Sequence, residues 1–201
     1  MAIQTVSGAN ILPWLDAVAA LRIEVFRNFP YLYEGEIDYE RRYLSTYANS
    51  DNSLFVLALD CNKPDGNQLV GCSTGIPLTD AEPEFQAPFI TAQIPLASVF
   101  YFGESVLQRA YRGQRLGHRF FDEREKFSAQ LGKSITAFCA VERPDNHPMK
   151  PEDYSPLDNF WQQRGYTKRP EIRTLYHWQD IRESSATDKP MVFWLKGGHQ
   201  V

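Results

Sequence analysis

Between Val99 and Leu131 the chain reads VFYFGESVLQRAYRGQRLGHRFFDEREKFSAQL, and three local patterns follow one another there. Val99–Leu107, rich in Val, Phe, Tyr and Leu, has the composition of a strand. Arg112-Gly113-Gln114-Arg115-Leu116-Gly117 is a tight, basic turn. Beyond it, Leu116, Phe120, Phe127 and Leu131 predict the buried face of an amphipathic helix. The first amides of a helix have no internal partners and sit at the positive end of its dipole. A basic, glycine-bearing turn that enters a helix is therefore an anion site. The plainer alternative is a solvated turn that only caps the helix.

The rest of the chain supplies elements on both sides. Ile3–Ser7 reads as a first strand. Asn10 is expected to cap a helix from Pro13 to Phe29, with Leu15, Val18, Leu21 and Val25 buried and Pro30 ending it. An aromatic loop, FPYLYEG, precedes a second helix from Asp38 to Ala48. Leu54–Leu59 and Gln68–Ile76 read as a hairpin joined by turn residues at Lys63–Asn67. Pro77 to Leu96 is Pro-rich, with a short helix expected near Glu84–Phe89. Ser134–Val141 is another apolar strand, and Glu142–Ser155, with three prolines, is a loop. A helix from Pro156 to Arg164 is closed by Gly165 in a left-handed cap. Ile172–Trp178 and Met191–Leu195 are the last strands, and the tail from Lys196 through His199 is expected to fray. The order is β, two helices, a hairpin, then β–helix–β–helix–β–β: an α/β fold, with a mixed, mostly antiparallel sheet flanked by helices.

With 201 residues, 43% of them hydrophobic and 23% charged, the chain suits a single globular domain with a sizeable core. The net charge of −4 leaves no basic footprint for nucleic acid. Cys61, Cys72 and Cys139 form no CxxC pair. His118, His147, His177 and His199 show no ligand spacing, so no metal is expected. No apolar run approaches the ~18 residues of a membrane span, and the N-terminus has no signal-peptide pattern. Reduced thiols and a cytoplasmic location are the matching expectation.

The turn Arg112-Gly-Gln-Arg-Leu-Gly117 after a strand resembles the pyrophosphate loop of the GCN5-related N-acetyltransferases, whose pattern is Gln/Arg-x-x-Gly-x-Gly/Ala. Arg112 fills its first position and Gly117 its last. Arg115 replaces the middle glycine, a departure, because Arg adopts positive φ less cheaply than Gly. The order of elements resembles that family's fold over the whole chain. The resemblance implies acetyl-CoA as co-substrate, with the backbone of Arg112, Gly113, Gln114, Arg115, Leu116, Gly117 and His118 around its pyrophosphate. It implies that the Ser105, Val106 and Leu107 strand pairs with the pantetheine arm, one amide holding the thioester carbonyl, and that Asn146 contacts the cofactor. The aromatic loop falls where the family places its acceptor wall, which makes Tyr31 and Tyr33 acceptor-binding candidates, or else staples to the core. The family's Tyr general acid is replaced by Trp161, an indole that cannot protonate a thiolate.

Two carboxylates are candidate bases. Glu104 interrupts an apolar strand beside Gly103, and a buried carboxylate is costly and tends to have a raised pKa. An amine with a lysine-like pKa of ~10.4 is mostly protonated at neutral pH, so something must take its proton. Glu142 follows the strand ending at Val141, with Arg143 beside it as a potential counter-ion. Either residue could instead serve a structural ion pair. The expected function is transfer of an acetyl group to an amine, on a small molecule or a peptide, by direct attack in a ternary complex. A non-catalytic acyl-CoA-binding module, a longer acyl chain and a hydroxyl acceptor stay open. Gly103-Glu-Ser-Val-Leu107 lacks the last glycine of a nucleophile elbow, so a serine hydrolase is rejected. A homodimer is the commonest assembly to expect.

Overall fold

The computed structural model describes residues 1–63 and 66–198. Pro64 and Asp65 of the expected hairpin turn, and His199 of the tail, lie outside them. Eight strands form one sheet: β1 (Ala2–Val6), β2 (Leu54–Asp60), β3 (Gln68–Pro77), β4 (Val99–Tyr101), β5 (Ser105–Leu107), β6 (Ile135–Val141), β7 (Thr167–Trp178) and β8 (Thr187–Gly197). Their spatial order is β1-β2-β3-β4-β6-β8-β7, with β5 also pairing with β3. All pairs are antiparallel except β4 with β6, where Val99 faces Ile135 and Tyr101 faces Ala137.

Both faces of the sheet are covered, which is why its central strands read as continuous apolar runs rather than alternations. In β2, Phe55, Leu57 and Leu59 join one buried cluster, while Leu54, Val56 and Ala58 join the other. The first cluster lies under α1 (Leu15–Phe26), α2 (Ile37–Ala48) and α3 (Pro83–Thr91). The second lies under α4 (Leu116–Gln130) and α5 (Asp158–Gln163). Among the described residues no helix is long and apolar enough to cross a membrane.

Several expected boundaries shift for local reasons. The first helix begins at Leu15, not Pro13, because Gly8–Trp14 forms a 3-10 turn with Pro13 inside it, and Asn10 is not its cap. It ends at Phe26, where the Asn28 side chain donates to the carbonyls of Glu24 (3.3 Å) and Val25 (3.2 Å). The last two strands outrun their apolar cores: β7 starts at Thr167 and β8 at Thr187, and they pair across an irregularity between Arg169 and Arg173. Lys196 and Gly197, expected to fray, belong to β8. Gly165 adopts φ +85° and caps α5 as its position predicts.

Candidate active site

The strand expected from Val99 to Leu107 is not continuous. After Phe102 donates to Ala137 O (2.7 Å), β4 and β6 part, and β5 pairs with β3 alone. At the break Gly103 N–H donates to Thr74 O (3.2 Å) and Thr74 N–H donates to Glu104 O (3.0 Å), so two residues oppose one in a β-bulge. Gly103 is required there. A Cβ would lie 2.0 Å from the Tyr47 hydroxyl and 2.7 Å from Thr74 Oγ1. Beyond the bulge, Gln108 N–H donates to Val70 O (3.0 Å). By antiparallel alternation the even-numbered positions bond to β3, and the amides of Ser105 and Leu107 face the gap toward β6.

The bulge turns the Glu104 side chain toward α1 and α2. Its Oε2 accepts from Arg22 Nη1 (2.6 Å) and from the Tyr43 hydroxyl (3.3 Å), while Arg22 Nε donates to Glu40. Glu104 is 7% exposed and Glu40 fully buried. Oε1 of each has no hydrogen-bond partner among the described residues. Desolvation works against the Arg22 charge, but the two carboxylates outweigh it and hold its pKa well above the arginine norm. The cluster therefore carries two carboxylates on one guanidinium.

Glu104, Gly103, Arg22 and Glu40 line a cavity of about 310 Å³. Its walls include Tyr31, Tyr33, Tyr39, Tyr43, Tyr101, Tyr176 and Trp178, and Glu34, Glu36 and Arg42 also line it. Tyr31 packs on Phe26 (ring centroids 4.5 Å apart) and on Trp178 (6.1 Å), and burial pushes its hydroxyl pKa up. Arg143 ties this loop in place: it donates to Pro30 O and Tyr31 O (2.8 Å each) and pairs with Asp180 (2.7 Å). Arg143 therefore neutralises Asp180 and not the adjacent Glu142.

On the other face, Arg115 stands at φ +62° immediately before α4, and Gly113 at φ +77°. The arginine does adopt the left-handed backbone that the glycine pattern predicts, at a cost of about 1 kcal/mol. The first α-helical bond of α4 is Arg119 N–H to Arg115 O (3.3 Å), which leaves the amides of Leu116, Gly117 and His118 with no carbonyl one turn back. A Cβ on Gly117 would meet only the Phe160 ring, at 3.8 Å, and one on Gly113 would meet nothing within 4 Å. Packing does not demand these glycines; they leave open space over the helix start. Arg112 donates to Leu107 O (3.3 Å), and Gln114 and Arg115 are exposed. His118 packs edge-on against Phe160 (ring centroids 4.9 Å apart), and its Nδ1 lies 3.3 Å from Arg164 Nη1.

Glu142 falls elsewhere. By strand alternation it shares the α4 side of the sheet with Phe138 and Ala140, and Lys168 (3.2 Å) and Arg173 pair with it. It does not meet the Glu104 cavity. Asn146 is exposed in the β6–α5 loop. Trp161 is half-buried and packs against Phe138 (5.0 Å) and Trp194 (5.1 Å) at the margin of the second cluster.

Sequence reasoning missed Arg22, Glu40 and Arg124. The signal was present. Arg22 follows Val18 by four, Glu40 precedes Tyr43, Leu44 and Tyr47 by three, four and seven, and Arg124 follows Phe120 by four. Each charge sits on its helix's buried stripe, where a lone charge needs a partner.

The parallel β4–β6 pair that parts at a bulge and the left-handed loop before the following helix belong to a known architecture: the fold is that of the GCN5-related N-acetyltransferases. Ribosomal-protein-alanine N-acetyltransferase from Brucella melitensis superposes with TM-score 0.60 at 11% identity, over 98% of this chain and 100% of that one. A GCN5-related N-acetyltransferase from Kribbella flavida gives TM-score 0.56 at 16% identity, over 98% of both chains. An aminoglycoside 6'-N-acetyltransferase complexed with coenzyme A gives 0.56 at 15%, over the full length of both. No protein-family model and no curated protein sequence matches the chain.

Proposed function

We propose that the chain transfers an acetyl group from acetyl-CoA to a cationic amine, on a small molecule or a peptide, by direct attack. The observation that carries this reading is Glu104: a buried carboxylate with one oxygen held and the other without a hydrogen-bond partner among the described residues, beside the fork between β5 and β6 and in the wall of an aromatic cavity. The open space over Gly117, the free amides of Leu116 to His118 and the charges of Arg112 and Arg115 support this reading, because together they would hold the co-substrate's pyrophosphate. The Ser105 and Leu107 amides would pair with its pantetheine arm. In three of the similar solved structures the protein is bound to coenzyme A or to a bisubstrate analogue, which supports this reading.

Acetyl-CoA supplies an activated thioester carbonyl. The Glu104 Oε1 position would accept a proton from the acceptor ammonium, directly or through one water, and so free the nitrogen lone pair. Nitrogen–carbon bond formation would place negative charge on the carbonyl oxygen, and the Ser105 N–H would stabilise it. The carbon–sulfur bond then breaks, the nitrogen gives up its remaining extra proton, and the thiolate takes one from water. An indole cannot protonate a thiolate, and Trp161 packs against Phe138 and Trp194, so this scheme assigns no side chain as general acid. The cavity lining carries four carboxylates, Glu34, Glu36, Glu40 and Glu104, against Arg22 and Arg42, which favours a cation. Tyr31, Tyr33 and Trp178 would hold its apolar part and face its charge.

Calorimetric titration with acetyl-CoA tests the first half. Binding is expected, at least ~10-fold weaker in Arg112→Ala/Arg115→Ala. A panel of amines with thiol detection tests the second. Acetyl-CoA that fails to bind at any concentration, or thiol release that no amine accelerates, overturns the proposal.

A further inference from the structure

Arg124 is a buried charge that the chemistry above does not use. It sits on the inner face of α4, 1% exposed, and burial pulls its pKa down to about 10. Its side chain bonds only neutral oxygens among the described residues: Nε to Phe120 O (3.2 Å), Nη1 to Thr74 O (3.2 Å) and Glu104 O (3.1 Å), and Nη2 to Ser105 Oγ (2.8 Å). The guanidinium lies 4.2 Å from the Phe102 ring centroid and 4.8 Å from that of Phe121. An unpaired cation in such surroundings is costly. The carbonyls do not call for it. Glu104 O already accepts from Thr74 N–H, and Thr74 O from Gly103 N–H.

The Glu104 carbonyl and the Ser105 amide are two ends of one peptide unit. A cation on the oxygen end draws density from nitrogen and makes the N–H at the other end a stronger donor. That N–H faces the fork. We infer that Arg124 is a positioning residue that polarises the Glu104–Ser105 peptide, and through it strengthens the donor that meets charge as it develops on the acyl carbonyl oxygen. The contact from Nη2 to Ser105 Oγ fixes the orientation of that peptide as well. The inference rests on the acetyl-CoA reading.

The experiment is infrared difference spectroscopy of acetyl-CoA, isotope-labelled at the thioester carbonyl and bound to the wild type and to Arg124→Gln, Arg124→Met and Arg124→Lys, beside steady-state kinetics. The Met variant is expected to fold, since the Glu104 and Thr74 carbonyls both keep main-chain partners. In Gln and Met the carbonyl band should move back toward its frequency in free acetyl-CoA. Their kcat should fall about tenfold with KM for acetyl-CoA unchanged. Lys, which keeps the charge, should recover most of both. An unmoved band in Gln and Met, or a Lys variant as impaired as Met, overturns the inference. One measurement on the unaltered chain needs no variant to fold: the Glu104 carbonyl carbon and Ser105 amide nitrogen should both resonate downfield of their strand neighbours, and ordinary values for both overturn the inference too. Absence of acetyl-CoA binding by the wild type is the distinct result that removes the proposed function itself.

Discussion

Arg22 holds Glu104 by one oxygen and leaves the other unbound, and on the proposed reading that division is what lets a carboxylate be both fixed and reactive. Glu104→Gln keeps the shape of the side chain and loses the base. It should cut acetyl transfer by about 100-fold or more while calorimetry finds the acetyl-CoA affinity within twofold. Unchanged turnover would remove Glu104 from the chemistry. Gly103→Ala tests the fork itself. Its Cβ would be driven against the buried Tyr47 hydroxyl and Thr74 Oγ1. Denaturant unfolding should show a loss of about 3 kcal/mol, at the upper end of overpacking costs. Of this cluster the sequence exposes Glu104, because an acid in an apolar strand is conspicuous. Arg22 and Glu40 are hidden by helical context, where a charge every few residues is ordinary.

At the scale of elements, the strand expected from Val99 to Leu107 is one ribbon in composition and two in space. Nothing in residue type marks the bulge except Gly103, since hydrogen-bond register is a property of the partner strand. The loop that follows shows the reverse. Its pattern is legible residue by residue, and Arg115 takes the backbone that its non-glycine identity argues against. Arg115→Gly should therefore act in two directions: stability rises by up to about 1 kcal/mol in thermal unfolding, while acetyl-CoA binding weakens several-fold through the lost charge. A gain in affinity would mean that the side chain obstructs the site. The 27–36 loop depends on Arg143, which bonds two of its carbonyls and Asp180. Arg143→Ala should lose about 2 kcal/mol of stability, the worth of its charged hydrogen bonds, because Lys189 still pairs with Asp180 (3.3 Å). On the proposed reading it should also raise KM for the amine more than for acetyl-CoA. Equal changes in both constants would detach this loop from the acceptor.

Across the molecule, the apolar runs were the most legible signal, because strands buried on both faces carry few polar positions to confuse the reading. The extra length of β7 and β8 was not legible. Those extensions are held by ladder bonds and polar pairs at an edge, where composition is loop-like. Burial also sorts the three cysteines. It pushes the Cys139 thiol up to about 12 and Cys72 well above its norm, whereas Cys61 is exposed. Alkylation at mildly alkaline pH should modify one thiol per native chain and three after denaturation. More than one in the native chain would show that the sheet opens readily.

The sheet acts as a partition with a slot in it. The glycine-bearing loop and α4 lie on one side, the aromatic cavity under α1 and α2 on the other, and they meet at the fork between β5 and β6. Two reactants that arrive through separate doors do not queue. On the proposed reading neither would bar the other's exit, so product-inhibition patterns should show no compulsory order of release, and a bulky acceptor should leave the departure of coenzyme A unhindered.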